Sequence, residues 1–325
     1  MRALSLFSGG LDSQLSAALL KQQNIEVIAL HFMSPFFGEK ETTQRAADHL
    51  GIELVAVPVG ESYMRILKEP VYGYGKFHNP CIDCHAFMIR TAGEMLKAYN
   101  ASFIITGEVL GQRPMSQTRS ALERVNKLTR LGEITLRPLS AKRLDPTLPE
   151  QSGWVDREKL MDIQGRSRHL QISLAAAWGI EEYPAPAGGC LLTLESPTQR
   201  LRNYFSFLPQ ANLEELYIIR YGRHIYLDAN FLLVIGRNQA ENQALQINKT
   251  PEDLLLRVTN RPGPIGLLRR NSLAQEFIPQ KLLQQAAALV ARYSDAREEP
   301  LAEVRLYNDE SEQIMMVAPA SIETA

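Results

Sequence analysis

The stretch Ser8-Gly9-Gly10-Leu11-Asp12-Ser13 has the residue types that hold a phosphate. Paired glycines let a backbone turn sharply and approach an anion closely. Where a helix starts at such a turn, several N–H groups converge on the anion at its positive end. Ser8 and Ser13 add hydroxyl donors, and Asp12 is a candidate for binding Mg²⁺ or for orienting the loop. No Gly-Lys-Ser/Thr is present, so this is not a Walker A loop. The plain alternative is a strand-to-helix turn capped by Asp12 or Ser13. A second reactive group is Cys81-Ile82-Asp83-Cys84 behind Pro80. Two sulfurs one turn apart at a helix start favour thiolate. His78 and His85 lie near enough in sequence to leave a zinc site open. The last cysteine is Cys190. A second glycine-bearing turn, Gly107-Glu108-Val109-Leu110-Gly111-Gln112, gains weight only if the fold brings it opposite the first.

The elements around these groups read as a layered α/β unit. Residues 4–7 form an apolar strand, and Leu15, Ala18, Leu19 and Leu20 have helical spacing. Residues 25–32 are almost continuously apolar, as in a parallel strand buried on both faces. A helix is expected over 39–50, ended by Gly51, and a third strand over 52–59. Alternating strands and helices imply a doubly wound parallel sheet with ligands at the carboxyl ends of its strands. The Ser8 loop and residues 31–34 both lie there. A helix over 86–99, a strand over 102–106 running into Gly107, a helix over 116–128 and a strand over 133–139 continue the pattern. Residues 156–163 and 167–178 read as helices, with Arg166, Arg168 and His169 placed either to hold phosphate or RNA backbone or to form a solvated basic helix end.

The Pro- and Gly-rich stretch 183–190 marks a junction, dividing the chain into domains 1–185 and 186–325. The second is expected to be a smaller α+β domain. It has helices over 197–207, 213–221, 239–246 and 282–293, a hairpin over 223–235, and strands over 254–259, 302–306 and 313–317.

A chain of 325 residues fits two domains. Its 45% hydrophobic and 22% charged content is that of a water-exposed globular protein. Basic and acidic residues, 35 and 36, nearly cancel, so a nucleic-acid site must be a local patch. From residue 191 onward the basic residues are twelve arginines and two lysines, a balance that suits phosphate contacts. Arg223, Arg237 and Arg261 are the candidates. Three cysteines argue against a disulfide framework and for a reducing cytoplasm. The N-terminus reads as a core strand, not a signal peptide, and no run is apolar enough to cross a membrane.

The Ser8 loop closely resembles the PP-loop of the N-type ATP pyrophosphatases, which cleave ATP between the α- and β-phosphates and adenylate a substrate. Ile104-x-Thr106-Gly107-Glu108-x-x-Gly111-Gln112 with Ser116-Gln117-Thr118 is similar to the matching stretch of tRNA 4-thiouridine synthases. The Cys-x-x-Cys placement is similar to that of the wider tRNA thiolation group, including 2-thiouridine synthases. The resemblance covers roughly the first 190 residues. An N-terminal RNA-binding domain and a rhodanese-like extension, which 4-thiouridine synthases carry, are not recognised in it. Target base and sulfur route therefore stay open. In the second domain, Gly222-Arg223-His224, Val234-Ile235-Gly236-Arg237-Asn238, Pro262-Gly263-Pro264 and the run from Ala286 to Arg297 are similar to the RNA-binding domain of NFACT-type ribosome-associated proteins.

The resemblance implies ATP and Mg²⁺. Ser8, Gly9, Gly10, Leu11, Asp12 and Ser13 would hold the pyrophosphate, and the backbone at His31, Phe32 and Met33 would meet the adenine. Gly107, Glu108 and Gln112 would lie where nucleotide and base meet. Asp12, Cys81, Cys84 and Cys190 are the expected catalytic residues. The partners implied are tRNA and a sulfur donor, either sulfide or a persulfide from a cysteine desulfurase. Adenylation turns a uracil carbonyl oxygen into part of an AMP leaving group that sulfur can displace. The three cysteines would ligate a 4Fe–4S cluster with one iron open, or two would run a persulfide route. Sulfur transfer to, or amidation of, a small molecule is the second enzyme reading. A non-catalytic RNA-binding adaptor is the reading of a different class.

Overall fold

The computed structural model describes every residue except 39, 186–188, 272–276 and 322–325, and only the backbone of Lys40. The chain forms two compact units, Met1–Leu194 and Glu195–Ala325. Residues 186–188 of the expected junction lie outside the described residues.

The first unit runs β1 (Arg2–Leu6), α1 (Leu11–Lys21), β2 (Glu26–Met33), α2 (Lys40–Leu50), β3 (Glu53–Pro58), α3 (Ser62–Lys68), α4 (Cys81–Met95), β4 (Phe103–Thr106), α5 (Arg119–Thr129), β5 (Thr135–Leu136), α6 (Leu148–Gln151) and α7 (His169–Ala177). Its five strands are all parallel, in the order β3-β2-β1-β4-β5. This is the doubly wound sheet that the apolar runs predict. Ala3 and Leu4 in β1, Leu30 in β2 and the whole of β4 are buried, because helices cover both faces. The order itself places a site. The chain winds outward from β1 to β3, then returns to β4 on the other side of β1. The carboxyl ends of β1 and β4 thus flank the switch point where ligands enter such sheets.

Two expectations change here. Residues 156–163 are not a helix: a 3-10 turn covers Arg157–Lys159, and the segment then runs beside residues 138–139. Met161 N–H bonds Pro138 O at 3.0 Å, and Ile163 N–H bonds Leu139 O at 2.8 Å. Leu160 and Ile163, three apart, are both buried without a helix because this segment packs by backbone pairing. The fifth strand is also shorter than expected, two residues instead of seven.

The second unit runs α8 (Glu195–Phe207), a 3-10 helix (Glu214–Arg220), β6 (Arg223–Tyr226), β7 (Phe231–Ile235), α9 (Gln239–Ile247), β8 (Leu254–Val258), β9 (Gly266–Arg270), α10 (Gln280–Arg292), β10 (Ala302–Tyr307) and β11 (Glu312–Val317). Six strands form an antiparallel sheet in the order β11-β10-β8-β9-β7-β6. Ala286, Ala287 and Val290 of α10 pack on the face made by Leu233, Leu256, Leu268, Val304 and Met315. Strand β9 is legible only in the fold. Its Gly266 leaves room for Val290, whose Cγ2 would lie 2.5 Å from an added Cβ, and its Arg269 is buried among polar partners.

Candidate active site

The PP-loop leaves β1 at Phe7 and enters α1 at Leu11. Gly9 takes a left-handed φ of +72°, and an added Cβ would meet Thr43 at 3.1 Å. Gly10 is the N-cap residue, and no side chain caps the helix. The first N–H groups of α1 are therefore not consumed by a cap, the condition for anion binding at a helix start. The plain capped-turn reading does not hold: Ser13 Oγ donates to Gly10 O at 2.8 Å, and Asp12 reaches elsewhere. Ser8 Oγ lies 3.4 Å from Ser13 Oγ and accepts from Gly10 N–H at 3.3 Å, so both hydroxyls line the turn. Leu11 is buried, which leaves only its backbone for a ligand.

The second loop presses directly on the first. A Cβ on Gly107 would lie 2.7 Å from the Ser13 backbone nitrogen and 2.9 Å from the Asp12 carbonyl carbon. Only glycine permits that approach. From this loop Gln112 Nε2 donates to Asp12 Oδ2 at 2.7 Å, and Gln171 Nε2 donates to Gln112 Oε1 at 3.0 Å. Arg168 Nη2 stands 3.7 Å from the same Asp12 oxygen. Asp12 Oδ1 is buried with no hydrogen-bond partner among the described residues. An orphaned carboxylate oxygen beside an uncapped helix start is a fitting ligand for a hard cation.

Glu108 faces the other way. Its Oε1 lies 2.8 Å from His85 Nδ1, and its Oε2 accepts from Arg137 Nε at 2.8 Å and Thr106 Oγ1 at 3.1 Å. Burial raises the carboxyl pKa, but the Arg137 guanidinium and His85 outweigh it and hold the group at about 2. Glu108 is thus committed to protein partners, while its neighbour Gly107 makes the loop contact. His31 is buried in β2 with Nδ1 3.3 Å from Phe7 O, which sets the β2 end against the PP-loop. Phe32 is buried, and Met33 is half-buried at the strand end.

His85 follows Cys84 near the start of α4, so the Glu108 contact carries the cysteine pair to the same end of the sheet. Tyr63, fully buried between Phe37 and Phe87, donates its hydroxyl to Cys84 Sγ at 3.2 Å. Asn79 Nδ2 donates to Cys81 Sγ at 3.2 Å. Asp83 accepts from the backbone N–H groups of Val71 and Tyr72, pinning the preceding loop to the helix start. Cys190 arrives from the other end of the unit, where Leu191 N–H bonds Phe36 O at 2.9 Å.

Burial pushes the Cys190 thiol up to about 12, and Cys81 adds to it. Burial likewise raises Cys84, with Cys190 and Cys81 as further causes. Burial raises Cys81 too, against the Asn79 hydrogen bond and the Arg113 charge. The low-pKa thiolates expected at this helix start are therefore not found: desolvation raises all three half-buried thiols, and Cys84 and Cys190 are raised further by the other sulfurs. Among the described residues, no three His, Cys, Asp or Glu side chains are gathered as ligands around one point. His78 is turned to the backbone, with Nε2 3.1 Å from Leu67 O and its ring stacked on Tyr74.

Two family models match separate parts of the chain. Residues 1–143 match the family model described as thiamine biosynthesis protein (ThiI). Residues 222–325 match the NFACT protein RNA binding domain. A probable tRNA sulfurtransferase of Anoxybacillus flavithermus is 32% identical over 146 residues, 42% of this chain and 35% of that protein. The tRNA-specific 2-thiouridylase MnmA of Sulfurimonas denitrificans is 36% identical over 114 residues, 32% of this chain and 33% of that protein. The chain thus spans about a third of the length of these curated relatives. A solved 4-thiouridine synthetase–RNA complex with bound ATP is 24% identical over 43% of this chain and 37% of that one, with a TM-score of 0.35. The C-terminal part of the fibronectin/fibrinogen-binding protein of Streptococcus suis covers 55% of this chain and 82% of that one at 16% identity and a TM-score of 0.28.

Tyr63, Asn79, Asp83, Arg137 and Gln171 belong to the site and escape a motif reading. Tyr63, Arg137 and Gln171 act across 21, 29 and 59 residues, while Asn79 and Asp83 act locally around the cysteine pair, and none has a spacing that marks it. In the second unit, the three candidate arginines already have partners. Arg223 lies over the Tyr293 ring, Arg237 pairs with Glu241, and Arg261 pairs with Glu299.

Proposed function

We propose that this chain is an ATP-dependent tRNA uridine sulfurtransferase. One observation carries the reading: an uncapped, glycine-turned helix start and a corner of three thiols occupy one end of one sheet. They are linked through Gly107-Glu108 and His85. The PP-loop N–H groups, with Ser8 and Ser13, hold the pyrophosphate of ATP, and Asp12 Oδ1 offers Mg²⁺ a ligand that would offset phosphate charge. The uracil oxygen attacks the α-phosphorus and pyrophosphate leaves. Sulfur then attacks the same ring carbon, and AMP departs with the oxygen. The buried loop contact holds the reacting groups in register. Cys81, Cys84 and Cys190 are the residues that would hold a 4Fe–4S cluster, and such a cluster would supply iron to which sulfide can bind. A second reading, favoured by the mutual influence of the three thiols, has one cysteine take a persulfide sulfur from a donor's persulfide. That sulfur attacks the activated carbon as AMP leaves. A second cysteine then attacks the first cysteine's sulfur, expelling the thiolated base and leaving a disulfide for an external thiol to reduce. The second unit binds the tRNA.

Mass spectrometry of tRNA nucleosides from a strain lacking the gene tests the function. Loss of a 2-thio or 4-thio nucleoside supports it and names the position; an unchanged profile overturns it. Anaerobic purification with iron and sulfide counted separates the two sulfur routes. Iron lost from each Cys→Ala variant together with thiolation supports the cluster. Active protein free of iron supports the persulfide.

A further inference from the structure

Arg137 and Arg269, the fully buried arginines among the described residues, are both engaged by the protein. Arg137 donates to Glu108 and Asn126, and Arg269 to Asp253 and Tyr204. Arg168 differs. Its side chain is only 15% exposed, yet its guanidinium makes no hydrogen bond among the described residues, and its Nε is buried without a partner. The ion pair with Asp12 at 3.7 Å is too long to be a hydrogen bond. Covered donors are normally paired, and leaving a guanidinium unpaired is costly. Arg166 and His169, its neighbours in the sequence, are exposed.

The fold fixes Arg168 in this position. Gly165, at a φ of +87°, donates its N–H to Leu110 O at 2.7 Å, and Gln164 bridges to Leu110. The segment is thus sewn to the second glycine loop. Arg168 is the N-cap residue of α7. Further along that helix, the buried Gln171 donates to Gln112, which donates to Asp12. One helix start therefore reaches the PP-loop carboxylate twice, through a charge and through a chain of amides.

The loop from Ser8 to Ser13 carries no cation of its own, and Asp12 adds a negative charge. A polyphosphate beside that carboxylate needs positive charge. A guanidinium whose donors the protein leaves unused supplies it, and its planar fork matches phosphate oxygens. We infer that Arg168 is a phosphate-binding residue of the nucleotide site, its guanidinium taking oxygens of the pyrophosphate moiety of ATP. Charge that gathers on those oxygens as the bond between the α- and β-phosphates breaks then meets a cation already in place. The inference rests on the proposed ATP chemistry. It adds to the site a residue beyond 1–143, the stretch that the ThiI family model matches.

The test is calorimetric binding of ATP with Mg²⁺, inorganic pyrophosphate, AMP and tRNA by the full chain, with circular dichroism confirming that each variant is folded. Arg168→Met should weaken ATP and pyrophosphate about 10- to 100-fold, the worth of a charged hydrogen bond, and leave AMP and tRNA within about twofold of wild type. Arg168→Lys should fall between the two, because it keeps the charge and loses the fork. Adding Arg168→Met to Asp12→Asn, with no metal present, should still weaken pyrophosphate at least about fivefold. No further weakening there would mean that Arg168 serves only to neutralise Asp12, and the inference fails. ATP and pyrophosphate binding within about twofold of wild type in Arg168→Met also overturns it, while the ATP reading stands. So does a loss confined to tRNA, which would make Arg168 a contact to RNA backbone. A wild-type chain that binds neither ATP nor pyrophosphate overturns the ATP reading itself.

Discussion

Each unit buries an arginine against a carboxylate almost completely, and the two pairs do different work. In the second unit Arg269 and Asp253 are 3% and 1% exposed. Arg269 spends its donors on Asp253, the Tyr204 hydroxyl and the Glu215 and Asn248 carbonyls. Every partner is structural, so the pair locks α8, the 3-10 helix and the β8 turn to the sheet. In the first unit Arg137 and Glu108 are each 4% exposed, but Glu108 also holds His85, which is 26% exposed and adjoins Cys84. One leg of that pair leads out to the site. A buried ion pair says little about purpose by itself; where its remaining hydrogen bonds go says more.

The sharpest way to break this comparison is to remove both arginines in turn. Arg269→Met strands a buried carboxylate and should cost about 3–5 kcal/mol in urea unfolding of the second unit, with ATP–pyrophosphate exchange at the wild-type rate. Arg137→Met should cost a similar amount in the first unit and lower exchange and thiolation as well. Equal exchange rates in the two variants would erase the distinction.

Gly107→Ala tests the loop contact that the first pair supports. A methyl group 2.7 Å from the Ser13 nitrogen must push the loops apart. Exchange should fall on the order of 100-fold, as for misplacement by about an ångström, with little change in melting temperature. A wild-type rate would show that the two loops need not touch.

Acid should separate the units. Burial and the Arg200 charge lower His224 in the second unit to about 4. A histidine with a depressed pKa stabilises fully above its unfolded value of 6.5 and loses that contribution as pH falls through 4. Allowing for its partial exposure, about 2 kcal/mol is at stake. Glu108, held at about 2, contributes above 4.5 and loses its part only as pH falls towards 2. Stability followed by fluorescence from pH 7 to pH 3 should therefore fall first in the second unit. His224→Phe should flatten the upper step alone; if that step persists, another group controls it.

The smallest effects test whether the units are built alike locally. Thr118 caps α5 through Ala121 N–H, and Asn238 caps α9 through Glu241 N–H. Replacing either by Ala should cost about 1 kcal/mol, read from chemical denaturation. A much larger loss at Asn238 would show that the Glu241–Arg237 arrangement beside it depends on the cap.

Much of the first unit was legible because parallel sheets advertise themselves. Residues 25–32 are almost continuously apolar since both faces of β2 are covered, and the glycine turn at Ser8 follows β1 directly. The legible part of the site is likewise local: PP-loop, Cys81 and Cys84 each fall within a few residues. The antiparallel sheet was harder to read. Strand β9 hides behind Gly266 and a buried Arg269, which break the alternation that marks a strand. The apolar pair Leu160 and Ile163 imitates a helix because burial does not record which backbone partner made it possible.

The sequence by itself determined which chemistry is present: a glycine turn at a strand end, an acidic residue beside it, three thiols and an arginine-rich second half. Those are properties of residue type and short spacing, which local sterics and hydrogen bonding enforce. Only the tertiary structure decided which groups meet. The return of the chain to β4 beside β1 brings Gly107 against Ser13 and Gln112 to Asp12. The same packing turns Glu108 away to His85 and Arg137, joins Tyr63 to Cys84, and draws Cys190 across more than a hundred residues to the other two sulfurs. No local preference encodes these contacts, because each depends on where two distant segments of backbone are held.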